Sequence, residues 1–306
     1  MRIVTLKDPY SGTITSDIAD GTYLGAAVTA WSGTSSYAVG DIRCDTTTRP
    51  QYVFKCKAIV THTTGTEPRP SLDDTRWTLI GTTDRDAEFD DLIGTQSIRT
   101  TSHTVTVDAS GTNYVVFYNL DATSITLTLT NSIGVVKTET ISLKQPMSAP
   151  SWWAYFCEDS KTKKQLSWKY PKYATSTLTV TINTFTGSIV KCGVFRCGSA
   201  SGEIGAAQKG ITTTLMDYST KGTIYTVTAG PSADNIDLTM YIPVSAVDGV
   251  RELFRQNVAR VAVYDCNNGD ENDLESFVLL ALYKSFVRVF EYKGIVKCNV
   301  SLQGVI

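Results

Sequence analysis

Three short segments of strictly alternating residues constrain the fold more than any other feature of this 306-residue chain. Residues 124–130 read SITLTLT, residues 177–183 read TLTVTIN and residues 103–108 read HTVTVD. Alternation with a period of two is typical of a strand with one buried and one solvated face. Turns rich in Gly, Asn, Asp and Pro separate such segments at short intervals, which favours a sandwich or barrel over a βαβ fold.

One segment, residues 244–258, predicts a helix. Its apolar residues fall on the single stripe that a helix packed on a sheet requires: Val247, Val250, Phe254 and Val258. Ser245 followed by Asp248 predicts an N-cap of the capping-box type, with Asp in place of the preferred Glu. The predicted fold is therefore mainly β, with a small aromatic-rich β module, β-sandwich-like domains after it, and one helix in the C-terminal half.

Changes in composition divide the chain into five predicted segments. They are a turn-rich leader at 1–25, an aromatic-rich module at 26–81, an acidic connector at 82–97, a β-sandwich domain at 98–200, and a β-rich domain with the helix at 201–306. The sequence shows no internal repeat with a regular period, which disfavours a solenoid or a propeller.

The module at 26–81 contains aromatic residues in an order that suits sugar recognition, where a ring stacks on the apolar face of a pyranose. The candidate rings are those of Trp31, Tyr37, Tyr52 and Trp77, with Asp41 and Arg76 as polar partners. The alternative is that so small a module needs its aromatic residues in its own core. Both interpretations hold if some rings are buried and others exposed.

A second aromatic cluster lies within residues 152–173, where lysines alternate with rings. Its candidate interface residues are Trp152, Trp153, Tyr155, Trp168 and Tyr170. Trp and Tyr dominate the energetics of protein interfaces, and rings alternating with lysines can also stack on single-stranded nucleic acid. An outer hairpin of the sandwich, with its lysines solvated, is the third interpretation.

Charge and hydropathy restrict the partners. A formal net charge of -2 provides no long-range attraction to nucleic acid or to an anionic membrane, so we expect neither partner. The apolar run at 277–283 falls well short of the roughly 20 residues that span a bilayer, and residues 1–8 do not have the apolar stretch that we would expect of a signal peptide. We expect synthesis in the cytoplasm and no membrane insertion. The seven cysteines are expected to be reduced, with Cys44 and Cys56 as the one pair worth testing for a disulfide.

Catalytic and metal-binding arrangements are hard to find in the sequence. The two histidines, His62 and His103, lie in different regions, and the acidic pairs at 73–74 and 90–91 are interpreted as solvated turn charges. The acidic segment 265–275 resembles a calcium loop, but the sharp-turn Gly and the bidentate Glu fall in the wrong register. We expect no enzymatic activity, no cofactor and no bound metal.

Three parts of the chain resemble proteins of bacteriophage tails. The pattern formed by Trp31, Tyr37, Gly40, Asp41, Tyr52, Cys56 and Trp77 is similar to the carbohydrate-binding-like modules of those proteins. Residues 87–96, AEFDDLIGTQ, resemble the connector that follows such a module, with Ala87 in place of a larger residue. Residues 281–287 and 298–306 resemble the last strands of the same proteins.

The resemblance implies a structural virion component that assembles as a homo-oligomeric ring or sheath, or as a baseplate subunit. It also implies contacts with other tail proteins (tube, adaptor or fibre), and an outward module that reaches a host surface glycan. Two alternatives stay open. One is an adhesin or lectin that binds host polysaccharide, and the other is a subunit of a glycan-degrading enzyme.

Overall fold

A computed structural model describes most of the chain. The described residues are 1–60, 68–145, 162–185, 187–202, 206–210, 218–220, 227–229, 235–266, 278–292 and 294–305. The fold is mainly β, as the alternating segments predict, and the C-terminal half contains one α-helix within the described residues.

The described residues of the first half of the chain form twelve strands. They are β1 (Arg2–Leu6), β2 (Ile14–Ser16), β3 (Thr22–Tyr23), β4 (Ala26–Ala27), β5 (Ile42–Asp45), β6 (Tyr52–Cys56), β7 (Trp77–Thr82), β8 (Ser97–Thr100), β9 (Ser102–Asp108), β10 (Tyr114–Tyr118), β11 (Ser124–Asn131) and β12 (Gly134–Ser142). Short 3-10 helices cover Pro9–Ser11, Pro70–Leu72 and Ala87–Phe89.

The rest of the described chain continues with more strands and the helix. They are β13 (Gln165–Lys169), β14 (Ser176–Asn183), β15 (Ile189–Cys192), β16 (Val194–Ala200), β17 (Ala206–Gly210), β18 (Tyr218–Thr220), β19 (Val227–Ala229), β20 (Asn235–Pro243), α1 (Val247–Gln256), β21 (Val261–Asp265), β22 (Val278–Tyr292) and β23 (Ile295–Gly304). A 3-10 turn at Val244–Ala246 leads into α1.

Two large antiparallel sheets dominate the fold. The nine-stranded sheet has the order β13-β10-β16-β1-β21-β22-β23-β20-β17, and the five-stranded sheet has the order β12-β11-β14-β9-β2. A separate three-stranded sheet, β5-β6-β7, forms the aromatic module. The N-terminal residues interpreted as a leader thus supply β1 to the middle of the larger sheet and β2 to an edge of the other.

The main core lies between the five-stranded sheet and the β13-β10-β16 end of the larger sheet. Alternate residues of β9, β11 and β14 are buried, as the sequence pattern predicts, and Phe117 of β10 stacks on Phe195 of β16 with ring centroids 5.0 Å apart. Burying one large aliphatic or aromatic side chain stabilises a fold by about 1.5–3 kcal/mol. This double layer is the predicted sandwich.

The nine-stranded sheet curls, so that β10 faces β21 and β22 although other strands lie between them. The hydroxyl of Tyr114 donates to Asp265 Oδ2 over 3.1 Å, and that of Tyr118 donates to the Val278 carbonyl over 3.2 Å. Asp265, the first residue of the predicted acidic loop, is fully buried, and Lys169 Nζ lies 3.4 Å from its Oδ2. Residues 267–277 of that loop lie outside the described residues.

The predicted helix is confirmed, with two differences at its ends. Val247, Val250 and Phe254 are buried against the sheet, but Val258 follows the helix and is 52% exposed. The N-cap position is occupied by Ala246 without a side-chain cap, so the capping box predicted from Ser245 is wrong. The cause is the preceding 3-10 turn, which moves the N-cap of the α-helix one residue along the chain, from Ser245 to Ala246.

Candidate functional site

The aromatic module is held together by two of its four predicted sugar-binding rings. Tyr37 is 4% exposed and Trp77 is 3% exposed, and their rings meet edge to face with centroids 5.2 Å apart. The hydroxyl of Tyr37 donates to the Ser32 carbonyl. The Tyr37 and Trp77 rings could stack on a sugar only if the module opened. The other two candidate rings, Trp31 and Tyr52, are half-buried and pack against this core from outside.

The polar residues predicted to read a sugar have local partners in the module. Asp41 Oδ2 accepts from the Ala38 amide over 3.1 Å and lies 3.5 Å from the Arg43 guanidinium. The guanidinium carbon of Arg43 lies 5.1 Å from the centroid of the Tyr37 ring. Arg76 forms an ion pair of 3.2 Å with Asp73, which is buried and was predicted to be a solvated turn charge. That prediction is wrong for Asp73.

Cys44 and Cys56 do not pair with each other. Both are buried free thiols on neighbouring strands. Cys44 lies opposite Val53 and Cys56 lies opposite Trp77, which places the two sulfur atoms on opposite faces of the sheet. Burial, followed by the charge of Asp45, raises the pKa of Cys44 to about 11.

The second aromatic cluster divides between core residues and residues outside the described chain. Trp168 is 5% exposed and Tyr170 is 6% exposed, so both belong to the sandwich core. Tyr170 exchanges a hydrogen bond with the buried hydroxyl of Thr112. The other three predicted interface residues, Trp152, Trp153 and Tyr155, lie outside the described residues.

The connector at 82–97 holds the aromatic module to the rest of the protein through buried carboxylates. Asp84 accepts from the amides of Leu24 and Gly25, at 2.9 and 2.7 Å. Asp86 is 1% exposed, forms an ion pair of 3.0 Å with Arg49, and accepts from the Gln51 amide. These contacts fix the N-terminal turns and the β5–β6 loop against the connector.

The acidic pair in the middle of the connector, Asp90 and Asp91, also has partners, so the prediction of solvated turn charges is wrong for this pair. Asp90 accepts from the hydroxyls of Thr82 and Thr95, and Asp91 forms an ion pair of 2.8 Å with Arg196 of β16. Burial raises the pKa of both carboxyls above the ordinary value. The partner of Asp91 is 105 residues away, which a local sequence pattern does not indicate, and the nearby partners of Asp90 are threonines with no regular spacing from it.

His103 forms a buried charged triad with two carboxylates. It is 1% exposed, its Nδ1 lies 2.7 Å from Asp17 Oδ1, and its Nε2 lies 3.2 Å from Glu88 Oε2. Burial alone favours the neutral ring, but the charge of Glu88 and the hydrogen bonds to both carboxylates raise the pKa of His103 to about 10. Because His103 of β9 contacts Asp17 of the N-terminal loop and Glu88 of the connector, the triad holds these three parts of the chain together.

The edge of the five-stranded sheet at β12 carries charges that point toward the core. Lys137 and Glu139 lie opposite Leu129 and Leu127, which places them on the core side of the strand. The Lys137 ammonium lies 4.6 Å from the centroid of the Trp168 ring, whose Nε1 donates to Glu139 over 2.8 Å. Inward-pointing charges of this kind protect an edge strand from pairing with another chain.

The outer edge of β22 also carries a charge on the side of the sheet that α1 covers, since Arg288 lies opposite the buried Cys298. Much of this edge, however, has no strand beside it among the described residues. β21 pairs only with its first part, up to Leu282, and no described strand pairs with the same edge over residues 283–292. Val287 is 53% exposed and Val289 is 39% exposed. Val287 lies opposite Asn299 and Val289 lies opposite Lys297, on the face of the sheet away from α1. Phe286 points to the other face and packs on Phe254 of α1. The free edge of β22 is the candidate interaction site.

No model of a known protein family matches this sequence, and no curated protein matches it either. The candidate site therefore depends on geometry alone. Among the described residues, no group of three His, Cys, Asp or Glu side chains is arranged to hold a metal ion. No helix of the described ranges is long and apolar enough to cross a bilayer.

Proposed function

We propose that this chain is a non-enzymatic structural subunit of a bacteriophage tail, made in the host cytoplasm and assembled into the virion as a homo-oligomeric ring or sheath. Its neighbours are further copies of itself and other tail proteins. The tail assignment depends on the resemblance of residues 31–96 and of the C-terminal strands to such proteins. The self-association depends on the structure, and the free edge of β22 is the observation that carries it.

Two features of this edge favour a second copy of the chain as the partner. A strand edge presents unpaired amide and carbonyl groups, which pair readily with another strand. β12 carries two inward charges and pairs with nothing on its outer side, whereas the uncovered stretch of β22 carries one, Arg288, between the exposed side chains of Val287 and Val289. We therefore take the β22 edge as available for pairing. In a ring, the β22 edge of each copy contacts a different surface of its neighbour, so that every β22 edge is covered when the ring closes.

An adhesin that binds sugar through the aromatic module is less well supported. Two of its four candidate rings form the module core, and Asp41 and Arg76 are engaged in ion pairs. A module with this core serves equally as a rigid outward domain of the tail subunit. Its connector joins it to the sandwich through the contacts of Glu88 with His103 and of Asp91 with Arg196.

We expect the double variant Val287→Lys/Val289→Lys to lose assembly. Lysines on an edge strand add charge repulsion and resist desolvation, so the assembled fraction should fall at least about tenfold, which corresponds to about 1.4 kcal/mol. Mass photometry with negative-stain imaging of the purified chain measures this fraction.

The control is Ile133→Lys/Val135→Lys, which adds the same charge at the exposed tip of the β11–β12 hairpin. We expect this variant to assemble as the unmodified chain does. Equal assembly of the β22 variant and the unmodified chain would refute the proposed edge contact. Equal loss in both double variants would show that added charge, and not the β22 edge, is responsible.

A further inference from the structure

The solvent-facing side of the five-stranded sheet is a lattice of threonines that the strand registers align from one strand to the next. One row contains Thr140, Thr126, Thr181 and Thr104. The next row contains Thr138, Thr128, Thr179, Thr106 and Thr15. In β9, β11 and β14 the residues between these threonines are buried in the core. The two rows therefore lie on one continuous side of the sheet, which we call the threonine face.

The hydroxyls of the threonine face bond to one another across the strands. Thr106 and Thr179 share a hydrogen bond of 3.0 Å, and so do Thr126 and Thr140. Burying a polar group is costly chiefly where it has no hydrogen-bond partner. Each threonine also adds a methyl group to the face. A partner can therefore cover these residues without leaving their hydroxyls unpaired.

The threonine face is almost free of charge. Among the described residues its one charged side chain is that of Asp108, at the end of β9, where Lys7 Nζ lies 2.7 Å from Oδ2. Strand propensity accounts for the threonines but not for the missing charges, because exposed positions of other strands in this chain hold Lys55 and Arg99. The surface of a soluble domain is typically roughly a quarter to a third charged residues. Depletion of charge is the compositional mark of the centre of a protein interface.

The size and shape of the threonine face suit an identical partner. Its four long strands, β9, β14, β11 and β12, are adjacent and have 7, 8, 8 and 9 residues. Strands spaced about 4.8 Å apart, with about 3.4 Å per residue, then cover roughly 500 Å². Two such faces bury about 1,000 Å² in total, which is the least expected of a specific interface. A second copy presents the same area and twist and no repelling charge, so the two faces can pack as the sheets of a sandwich do.

We infer that the threonine face packs against the threonine face of a second copy of this chain. The contact is isologous, since the same residues lie on both sides of a two-fold axis. Its role in a tail rests on the proposed function, to which it adds a contact between rings beside the contact along β22 within a ring. Contact between the faces involves side chains and adds no backbone hydrogen bond, so the two contacts can be removed separately.

The test uses the full chain with Val287→Lys/Val289→Lys, which removes the proposed β22 contact and leaves the face contact to be measured alone. We expect sedimentation equilibrium at high protein concentration to show a dimer. Adding Thr106→Lys/Thr128→Lys places two charges in the middle of the threonine face. Because these charges would lose their hydration under a second sheet, the dimer should weaken at least about tenfold.

The matched control adds Ile133→Lys/Val135→Lys to the same β22 variant, which puts equal charge at the hairpin tip beyond the two rows. We expect its dimer affinity to stay within about twofold, since positions at the rim of an interface contribute little. Circular dichroism shows whether each variant is folded. A monomer in the β22 variant overturns the inference, and so does a dimer that survives Thr106→Lys/Thr128→Lys.

A second measurement avoids added charge. Thr179→Cys in the middle of the face should give a covalent dimer with a short bis-maleimide, whereas Thr78→Cys, exposed on the aromatic module, should not. Equal cross-linking of the two cysteine variants also overturns the inference. Ring formation by the unmodified chain tests the proposed function separately, so that a failure of one is distinguishable from a failure of the other.

Discussion

The variant His103→Gln should lose about 3–5 kcal/mol of folding free energy. Glu88 is fully buried, and without the imidazolium its carboxylate has no counter-charge in the triad. Breaking a buried ion pair by removing one partner typically costs this amount, because a charge stays buried without compensation. The whole stability of a typical protein is about 5–15 kcal/mol, so the loss is large. Denaturant unfolding monitored by tryptophan fluorescence measures it.

The same triad predicts a pH dependence with a definite sign. The pKa of His103 is about 10 in the folded chain against 6.5 for an unperturbed histidine, so the folded state binds the proton more tightly. The stabilisation is complete below about pH 6.5 and declines as the pH rises toward 10. The difference in unfolding free energy between the unmodified chain and His103→Gln should therefore shrink over that interval.

The control for this prediction is the double variant His103→Gln/Glu88→Gln. Removing both charges leaves no buried carboxylate to be compensated, so the double variant should recover part of the lost stability. If the stability losses of His103→Gln and of Glu88→Gln simply add in the double variant, the ion pair between the two residues is not the source of the effect. A difference that stays constant with pH would refute the raised pKa.

The variant Phe89→Ala should cost about 3–5 kcal/mol, the usual effect of removing a buried aromatic side chain. Phe89 is 4% exposed, and its ring lies 6.1 Å from that of Tyr10 and 5.7 Å from that of Phe195. The connector thus inserts a ring into the main core. Thermal or denaturant unfolding measures the loss.

Leu92→Ala is the matched control, because Leu92 belongs to the same connector and is 47% exposed. Its expected effect lies within about 0.5 kcal/mol. A loss in Phe89→Ala no larger than that in Leu92→Ala would show that the connector is only a link between two parts that are stable without it.

The sequence predicts the strands and the helix stripe well because both patterns are local. In β11, neighbouring residues alternate between core and solvent, so Ile125, Leu127 and Leu129 identify the buried face without any tertiary information. The helix follows from residues within three turns of each other. Its start is harder to predict, because the 3-10 turn before Val247 changes which residue occupies the cap.

The roles of polar residues could not be predicted in this way. His103 stands among threonines, and its partners Asp17 and Glu88 lie 86 and 15 residues away. The carboxylates of the connector look like solvated charges until the fold brings Arg49 and Arg196 beside them. The free edge of β22 depends on where β21 begins, because Val261 pairs with Leu282 and nothing described pairs beyond it on that side. This register is set by the pairing of strands across the whole sheet.

Hydrogen–deuterium exchange of the unmodified chain at low and high protein concentration tests the central claim, self-association through β22, most directly. If copies of the chain pair along that edge, the backbone amides of residues 283–292 become protected at high concentration, while those of β12 exchange at the same rate in both samples. Exchange of residues 283–292 that does not change with concentration, in a sample that mass photometry shows to be assembled, would contradict the claim.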